Sequence, residues 1–337
     1  MKEEIVVIAD STKLASRTYS HLYEHFKDKD IYIISMQQIG LYEFTYPRKL
    51  KLTDFPYISD PEWQQRILGS PVVFKVCNTG IESSGESFST LLSRISTIKY
   101  LGTPYASSGI NFNLTLHKVL GSSLMHTDYP AFIVTDLSIQ GIKKALQGQN
   151  KTSNKSFENH VAAGLAKKYF DYNFNINSIY IFSIVLRDIG VDTNRFILTK
   201  YALQMLYDLR TRTKINISDF LKRTVVEWPG SGKYKDIDQP ITKIGSITSF
   251  IKILDNLSKV NLIQRENNFV SITNSGRELL VRLHPDCCDT DLPFRLFAWQ
   301  EDWPNSKPKI DRYLRTLFGK QKRFYSSEMK NNMSNFV

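Results

Sequence analysis

Apolar and polar positions alternate along this chain in two textures, and the change between them lies near its middle. The first half carries short apolar runs rich in β-branched residues: Ile5–Ala9 (IVVIA), Ile31–Ser35 (IYIIS), 72–77 (VVFKVC) and Ala131–Asp136 (AFIVTD). Such runs predict strands buried on both faces, as in a parallel sheet. Between them, apolar residues recur at helical steps after Asp10-Ser11-Thr12, from Phe88 to about Tyr100, over Phe112–Leu124 and over Ile139–Gln147. The segment Gln37–Trp63 holds Pro47, Pro56 and Pro61 and reads as irregular.

The polar run Gln147–Ser156 predicts a surface linker. Beyond it the spacing becomes helical over Phe157–Phe174 and Thr193–Leu209. Trp228–Gln239 is a second break. Ser246–Val260 predicts an amphipathic helix, Leu262–Ile272 a short hairpin, and Thr273 caps a helix to Leu283. A helix followed by a hairpin, with Arg and Lys around it, outlines a winged helix. The expected architecture is an α/β domain with a mainly parallel sheet over 1–150, then a helical, winged-helix-like domain over 151–337 that ends in a basic tail.

The stretch 72–92 organises this reading. Its pattern predicts an apolar strand that passes through a small-residue, acidic loop (Gly80, Glu82, Ser84, Gly85, Glu86) into a helix carrying Phe88 and Leu91. In an open α/β sheet that is a place to hold a metal or a phosphate.

Composition narrows the class. The chain has 337 residues, 42% of them hydrophobic and 23% charged, enough for two cores. No apolar run approaches the roughly 20 residues that span a bilayer. The opening MKEEIVVIADS leads into a strand rather than a signal peptide, and three cysteines form no disulfide framework; both point to the cytoplasm. The net charge of +11 is unevenly spread. Residues 160–235 hold twelve Lys/Arg against six Asp/Glu, and 307–337 hold eight against two, leaving the remainder near neutral. A basic half suggests a polyanionic partner, with nucleic acid first and an acidic protein or membrane surface behind it.

Several motifs fail on spacing. His21 and His25 share a helix face without a third ligand or an intervening glutamate base. Gly230-Ser231-Gly232-Lys233 lacks the first glycine of a phosphate loop, where Glu227 stands, and has Tyr234 after the lysine. Thr45-Tyr46-Pro47-Arg48 places a hydroxyl near a guanidinium, as a DNA-cleaving tyrosine would need, but a packed tyrosine beside a proline turn explains it more simply. Cys287-Cys288 reads as structural.

Seven segments, in order, resemble the type IA DNA topoisomerases, most of all their topoisomerase III branch. They are IVVIADSTKLAS, GLYEFTYPRKLKLTDFPYISDPEW, VVFKVCNTGIESSGES, FIVTDLSIQGIKKAL, AAGLAKKYFDYNFNINSIYIFS, VDTNRFILTKYALQML and IGSITSFIKILDNLSKVNLIQRENNFVSITNSGREL. The resemblance implies a Toprim domain followed by a helical domain lining a single-strand DNA groove. It also implies a Mg²⁺ site, with Asp10, Glu82 and Glu86 as the candidate ligands. In that alignment Gly80 and Ser84 stand where the family has acids, and Ser11 replaces a lysine. The gate-forming region that bears the family's catalytic tyrosine would fall between Phe220 and Ile244, and the chain crosses it in about two dozen residues.

The expected function is therefore single-stranded DNA binding without strand passage, as an accessory factor in DNA processing or transfer with a possible protein partner. The alternative is a Mg²⁺-dependent Toprim enzyme that nicks or relaxes DNA through Asp10, Glu82 and Glu86. Candidate DNA contacts are Lys167, Lys168, Arg187, Arg195, Lys200, Arg210 and Arg212. Asn177 joins them at the family's asparagine, with Tyr169, Tyr172, Phe174, Tyr180 and Tyr201 as stacking candidates.

Overall fold

Five consecutive buried residues, Ile5 to Ala9, form the central strand of a seven-stranded mixed sheet. The computed structural model describes residues 2–39, 41–47, 49–66, 72–95, 97–102, 131–134, 138–148, 151–152, 154–194, 196–226 and 247–334. By its contacts the chain divides into two compact units, one of 1–45 with 62–168 and the other of 46–61 with 169–337. The division falls at 168/169 rather than 150/151, and 46–61 goes with the second unit.

In the first unit β1 (Glu3–Ala9) leads into α1 (Thr12–His25), which Ser11 caps by accepting from the Leu14 amide at 3.2 Å. Then follow β2 (Lys29–Ser35), α2 (Met36–Ile39), β3 (Leu41–Thr45), β4 (Glu62–Arg66), β5 (Val72–Cys77), β6 (Gly80–Ser87), α3 (Phe88–Arg94), β7 (Thr97–Gly102), β8 (Ala131–Ile133), α4 (Ile139–Leu146) and β9 (Lys151–Thr152). The strand order is β6-β5-β2-β1-β7-β8-β9. The pairs β2–β1, β1–β7 and β7–β8 are parallel; β5 joins β2 antiparallel, as β6 does β5 and β9 does β8. Three of the apolar runs, at β1, β2 and β8, lie in the parallel heart, whereas 72–77 is antiparallel to β2. The helix expected to about Tyr100 ends at Arg94, and 97–102 is β7, a parallel neighbour of β1.

Strand periodicity divides β1 between two cores. Ile5, Val7 and Ala9 pack with Leu14 and Leu22 of α1 and Ile142 of α4. Val6 and Ile8 pack with Phe88 and Leu91 of α3 and with Ile95. The chain is α/β, with helices on both faces of a largely parallel core sheet.

Three further expectations for this unit change. The irregular segment 37–63 contains β3 and the start of β4, which pair with each other in a separate two-stranded sheet; its three prolines lie in the connection, where they cost no ladder bond. The supposed linker holds β9, paired with β8. The acidic loop 80–86 is mostly not a loop: after a turn at Asn78-Thr79 it runs back along β5 as the edge strand β6. Alternating serines and glutamates suit a half-exposed edge as well as a metal-binding turn. The helix expected over Phe112–Leu124 lies outside the described residues.

The second unit shares one core. Helix α5 (Asn154–Asn177) enters it at Tyr169 and runs into a π-helical turn at Ser178–Phe182 and α6 (Ser183–Asp188). Helix α7 (Lys200–Arg210) starts at the Thr199 cap, seven residues later than periodicity suggests. Next come β10 (Ile215–Asn216), α8 (Ile217–Leu221) with a π-helical turn at Lys222–Val226, α9 (Ile247–Lys259), β11 (Ile263–Glu266), β12 (Phe269–Ile272) and α10 (Asn274–Val281). Strand β12 pairs with both β11 and the earlier β10, so a three-stranded antiparallel sheet lies among the helices. Gly276 allows the close approach of α10, since a Cβ there would sit 2.2 Å from the Leu262 carbonyl oxygen. Thr273 caps α10 as expected.

The chain ends in α11 (Leu292–Glu301) and α12 (Lys307–Ser334). The expected basic tail is thus a helix of the core. Ile310, Leu314, Leu317, Phe318 and Gln321 are buried at helical spacing, and the Lys and Arg residues between 307 and 323 fall on its other faces.

Candidate functional site

The three candidate metal ligands are dispersed across the first sheet. Asp10 follows β1 at its carboxyl end, where its amide donates to the Leu101 carbonyl at 2.9 Å. Register places Glu82 opposite Lys75, Lys75 opposite Tyr32, and Tyr32 opposite Val6. At standard spacings Glu82 therefore lies about 14 Å across the sheet from β1 and about 13 Å back along it from Asp10. There it adjoins Cys77, whose thiol is pushed up first by burial and then by the Glu82 charge.

Glu86 lies three strands from β1, at the end of β6 where Ser87 stands opposite Val72, and its carboxylate is turned back toward Arg94. Arg94 grips its carboxylate in a fork at 2.6 and 3.1 Å and reaches Glu4 at 3.0 Å. Glu4 stands six residues before Asp10, about 20 Å along an extended strand. Mg²⁺ needs its oxygens within one octahedron of about 2.1 Å radius, so this arrangement does not fit a shared ion. Among the described residues no group of three His, Cys, Asp or Glu side chains is placed to hold a metal.

The candidate DNA contacts separate into buried and surface groups. Asn177 is fully buried and its amide is consumed: Oδ1 accepts from the Tyr57 amide at 2.9 Å, while Nδ2 donates to the Tyr57 and Asn173 carbonyls at 2.7 Å each. Asn173 treats Ser59 in the same way, at 2.9 and 3.0 Å. The spacing explains the pair. Four helical residues rise about 6 Å and two extended residues about 6.6 Å, so amides at i and i+4 can pair with alternate residues of an extended segment. Asn177 is a clamp for 57–59, which corrects its reading as a DNA contact.

Lys200 is corrected likewise. It is 3% exposed, ion-paired to Asp171, and lies 4.7 Å from both the Phe170 and Tyr201 rings. A cation so enclosed is spent internally.

Tyr169, Tyr172 and Phe174 are core residues, as helical spacing alone would have them. Tyr180 is half-buried against Phe55, with ring centroids 4.4 Å apart. Tyr201 stays partly accessible. Tyr46 stacks on Tyr172 at 5.5 Å and accepts from Asn175 at 3.2 Å, and burial pushes its phenol up to about 12. That is a packed tyrosine. His25 packs edge-on against Phe26, and His21 faces Glu24 at 3.9 Å.

Lys167 and Lys168 are half-buried on the first unit's part of α5, with Lys168 5.5 Å from the Phe44 ring. Arg187 and Arg210 are exposed. Arg212 lies 3.8 Å from Asp208, whose carboxylate Arg223 already holds at 2.9 Å. Arg195 and the 230–233 loop lie outside the described residues.

A different basic group assembles on the β10–β12–β11 sheet and α9. Arg265 of β11 pairs with Asp255 of α9 at 2.5 Å. Lys252 and Lys259 lie three residues before and four after Asp255, on its face of the helix, and both are exposed. Lys214 pairs with Glu266 at 3.2 Å and lies 5.0 Å from the ring of Phe269, which is 40% exposed at the hairpin. Sequence reasoning finds a hairpin with basic residues around it but does not single these out; the available signal is the cluster of cations within and just before the helix–hairpin segment. Scanned against protein-family models, the chain matches none, and no curated protein matches it.

Proposed function

We propose that this chain is a nucleic-acid-binding protein, related to the type IA topoisomerases but without strand passage, which binds single-stranded DNA through the hairpin side of its second unit. One observation carries the reading: helix, short strand, helix, helix and hairpin follow in order from 200 to 272, and the first strand closes the sheet on the last. This order and pairing support a winged-helix reading, in which the helix before the hairpin meets nucleic acid. Lys252, Lys259, Arg265 and Lys214 supply phosphate contacts, and exposed Phe269 offers a face on which a base can stack. The partner acids Asp255 and Glu266 hold Arg265 and Lys214 in exposed pairs of little strength, which a phosphate can displace.

The Toprim reading of the first unit is supported by its parallel core and by Asp10 at the end of β1. It does not extend to the family's metal chemistry, because the retained carboxylates do not converge.

The test is fluorescence anisotropy with a labelled single-stranded oligonucleotide across a salt series. We expect binding that weakens with salt, and a variant with Lys214, Lys252, Lys259 and Arg265 all changed to Gln should lose most of both affinity and salt dependence. No salt-dependent binding would overturn the proposal. Nicking or relaxation of supercoiled plasmid with Mg²⁺ that disappears in Glu82→Ala would replace it with the enzymatic alternative.

A further inference from the structure

Two neighbouring side chains on α7 carry buried polar atoms for which the described residues supply no hydrogen bond. Gln204 is 2% exposed and fixed, because its Nε2 donates to the Asp289 carbonyl at 2.7 Å; that leaves Oε1 as an acceptor with nothing to accept from. Tyr207, one turn on, is 7% exposed with an unpartnered hydroxyl. Burial holds its phenol protonated far above ordinary pH, so it can both donate and accept. Folded proteins rarely leave such atoms unused, and both residues line the same recess, of about 200 Å³.

The recess is electropositive. Its acid, Asp208, is already held by Arg223 through both carboxylate oxygens at 2.9 and 3.0 Å. Arg210, also in the lining, is exposed and has no carboxylate partner among the described residues. A second recess of about 270 Å³ shares Tyr207, Arg210 and Cys288 with the first but is otherwise apolar, with Leu280, Leu283 and Phe324 in its wall. Val281, also in that wall, is 73% exposed.

A polar chamber that wants a donor and an anion, joined at Arg210 to an apolar chamber, matches one kind of molecule. We propose that the two recesses form a single binding site for a small amphipathic carboxylate bearing a hydroxyl or amide donor. The carboxylate sits at Arg210 and the Tyr207 hydroxyl, the donor meets Gln204 Oε1, and the hydrocarbon part lies against Leu280, Leu283 and Phe324. This site is independent of the nucleic-acid reading, since none of these residues belongs to the proposed phosphate contacts.

The experiment is isothermal titration calorimetry of the full chain with 2-hydroxyoctanoate as probe. Saturable one-to-one binding is expected. Octanoate, lacking the donor, should bind about fivefold more weakly, as one unmade hydrogen bond implies. Arg210→Gln should weaken the probe about tenfold by removing a charge-assisted contact, and Tyr207→Phe should weaken it several-fold. Circular dichroism of both variants shows whether each stays folded; Phe keeps the Tyr207 ring, and Arg210→Gln gives up only an exposed contact over that ring, at 6.0 Å. The proposal is overturned if no saturable heat appears, which would leave the recesses to water alone. Equal binding of octylamine, or unchanged affinity in both folded variants, would overturn it too.

Discussion

The first unit's acids and the second unit's cations read equally as chemistry in sequence, yet they end differently in space. Glu82 and Glu86 stand on the edge strand and Asp10 at the end of the central strand, three strands away, with Glu86 held by Arg94. In the second unit Lys252, Asp255, Lys259 and Arg265 come together because a helix and the hairpin that follows it must pack. Sequence order within a local helix–hairpin predicts neighbours; sequence order across a sheet does not, because strand order decides which residues meet.

The comparison breaks most sharply in the buried polar groups of the second unit. Lys200→Met removes a buried cation that is 3% exposed and paired with Asp171, and should cost about 3 kcal/mol, seen as an earlier urea midpoint. Asn177→Ala strips the Tyr57 amide and carbonyl of their partners and should cost about 2–3 kcal/mol. If instead either variant unfolds like the wild type and loses only oligonucleotide binding, the sequence reading of these residues as DNA contacts is restored. Gly276→Ala, which would force a Cβ against the Leu262 carbonyl, should cost about 2 kcal/mol and loosen the hairpin with it.

How much is legible in the sequence follows from the same contrast. The strands IVVIA and IYIIS, the helix before the hairpin, the hairpin itself and the Thr273 cap are readable because each is decided by residues within one turn or one strand. The run Gly80–Glu86 is not, because its serines and glutamates fit a loop and an exposed edge strand equally, and only pairing with β5 decides between them. Asn177 misleads for a related reason. Its partner is Tyr57, 120 positions away, and nothing local to an asparagine in a helix reveals an extended segment awaiting its amide. The charge of 307–337 is legible as a sum but not in its placement, because the buried stripe from Ile310 to Gln321 is interleaved with the cations.

Smaller effects sharpen the first unit's side. Glu86→Gln weakens an exposed fork to Arg94, so stability should fall by less than about 1 kcal/mol, and less again in high salt. Mg²⁺ should leave the difference in melting temperature between that variant and the wild type unchanged, since Glu86 shares no ion with Asp10 or Glu82. A Mg²⁺-dependent stabilisation of the wild type that Glu86→Gln removes would show that the carboxylates do meet.

The alkaline limb of stability gives the last separation. Tyr46 and Tyr325 are both raised to about 12, in each case first by burial, whereas an unfolded tyrosine ionises near 10. Between those values the folded chain keeps protons that the unfolded chain has released, so stability falls as pH rises. Their contribution is fully present below pH 10 and is lost progressively as pH climbs through about 12. Both residues belong to the second unit. Tyr169, Tyr207 and Tyr313 are raised as well, so Tyr46→Phe removes one of several titrations and should flatten the loss between pH 10 and 12 in part, as followed by urea unfolding at fixed steps of pH. An unchanged slope would mean that the Tyr46 phenol ionises as easily folded as unfolded, and that its stack on Tyr172 does not exclude water from the hydroxyl.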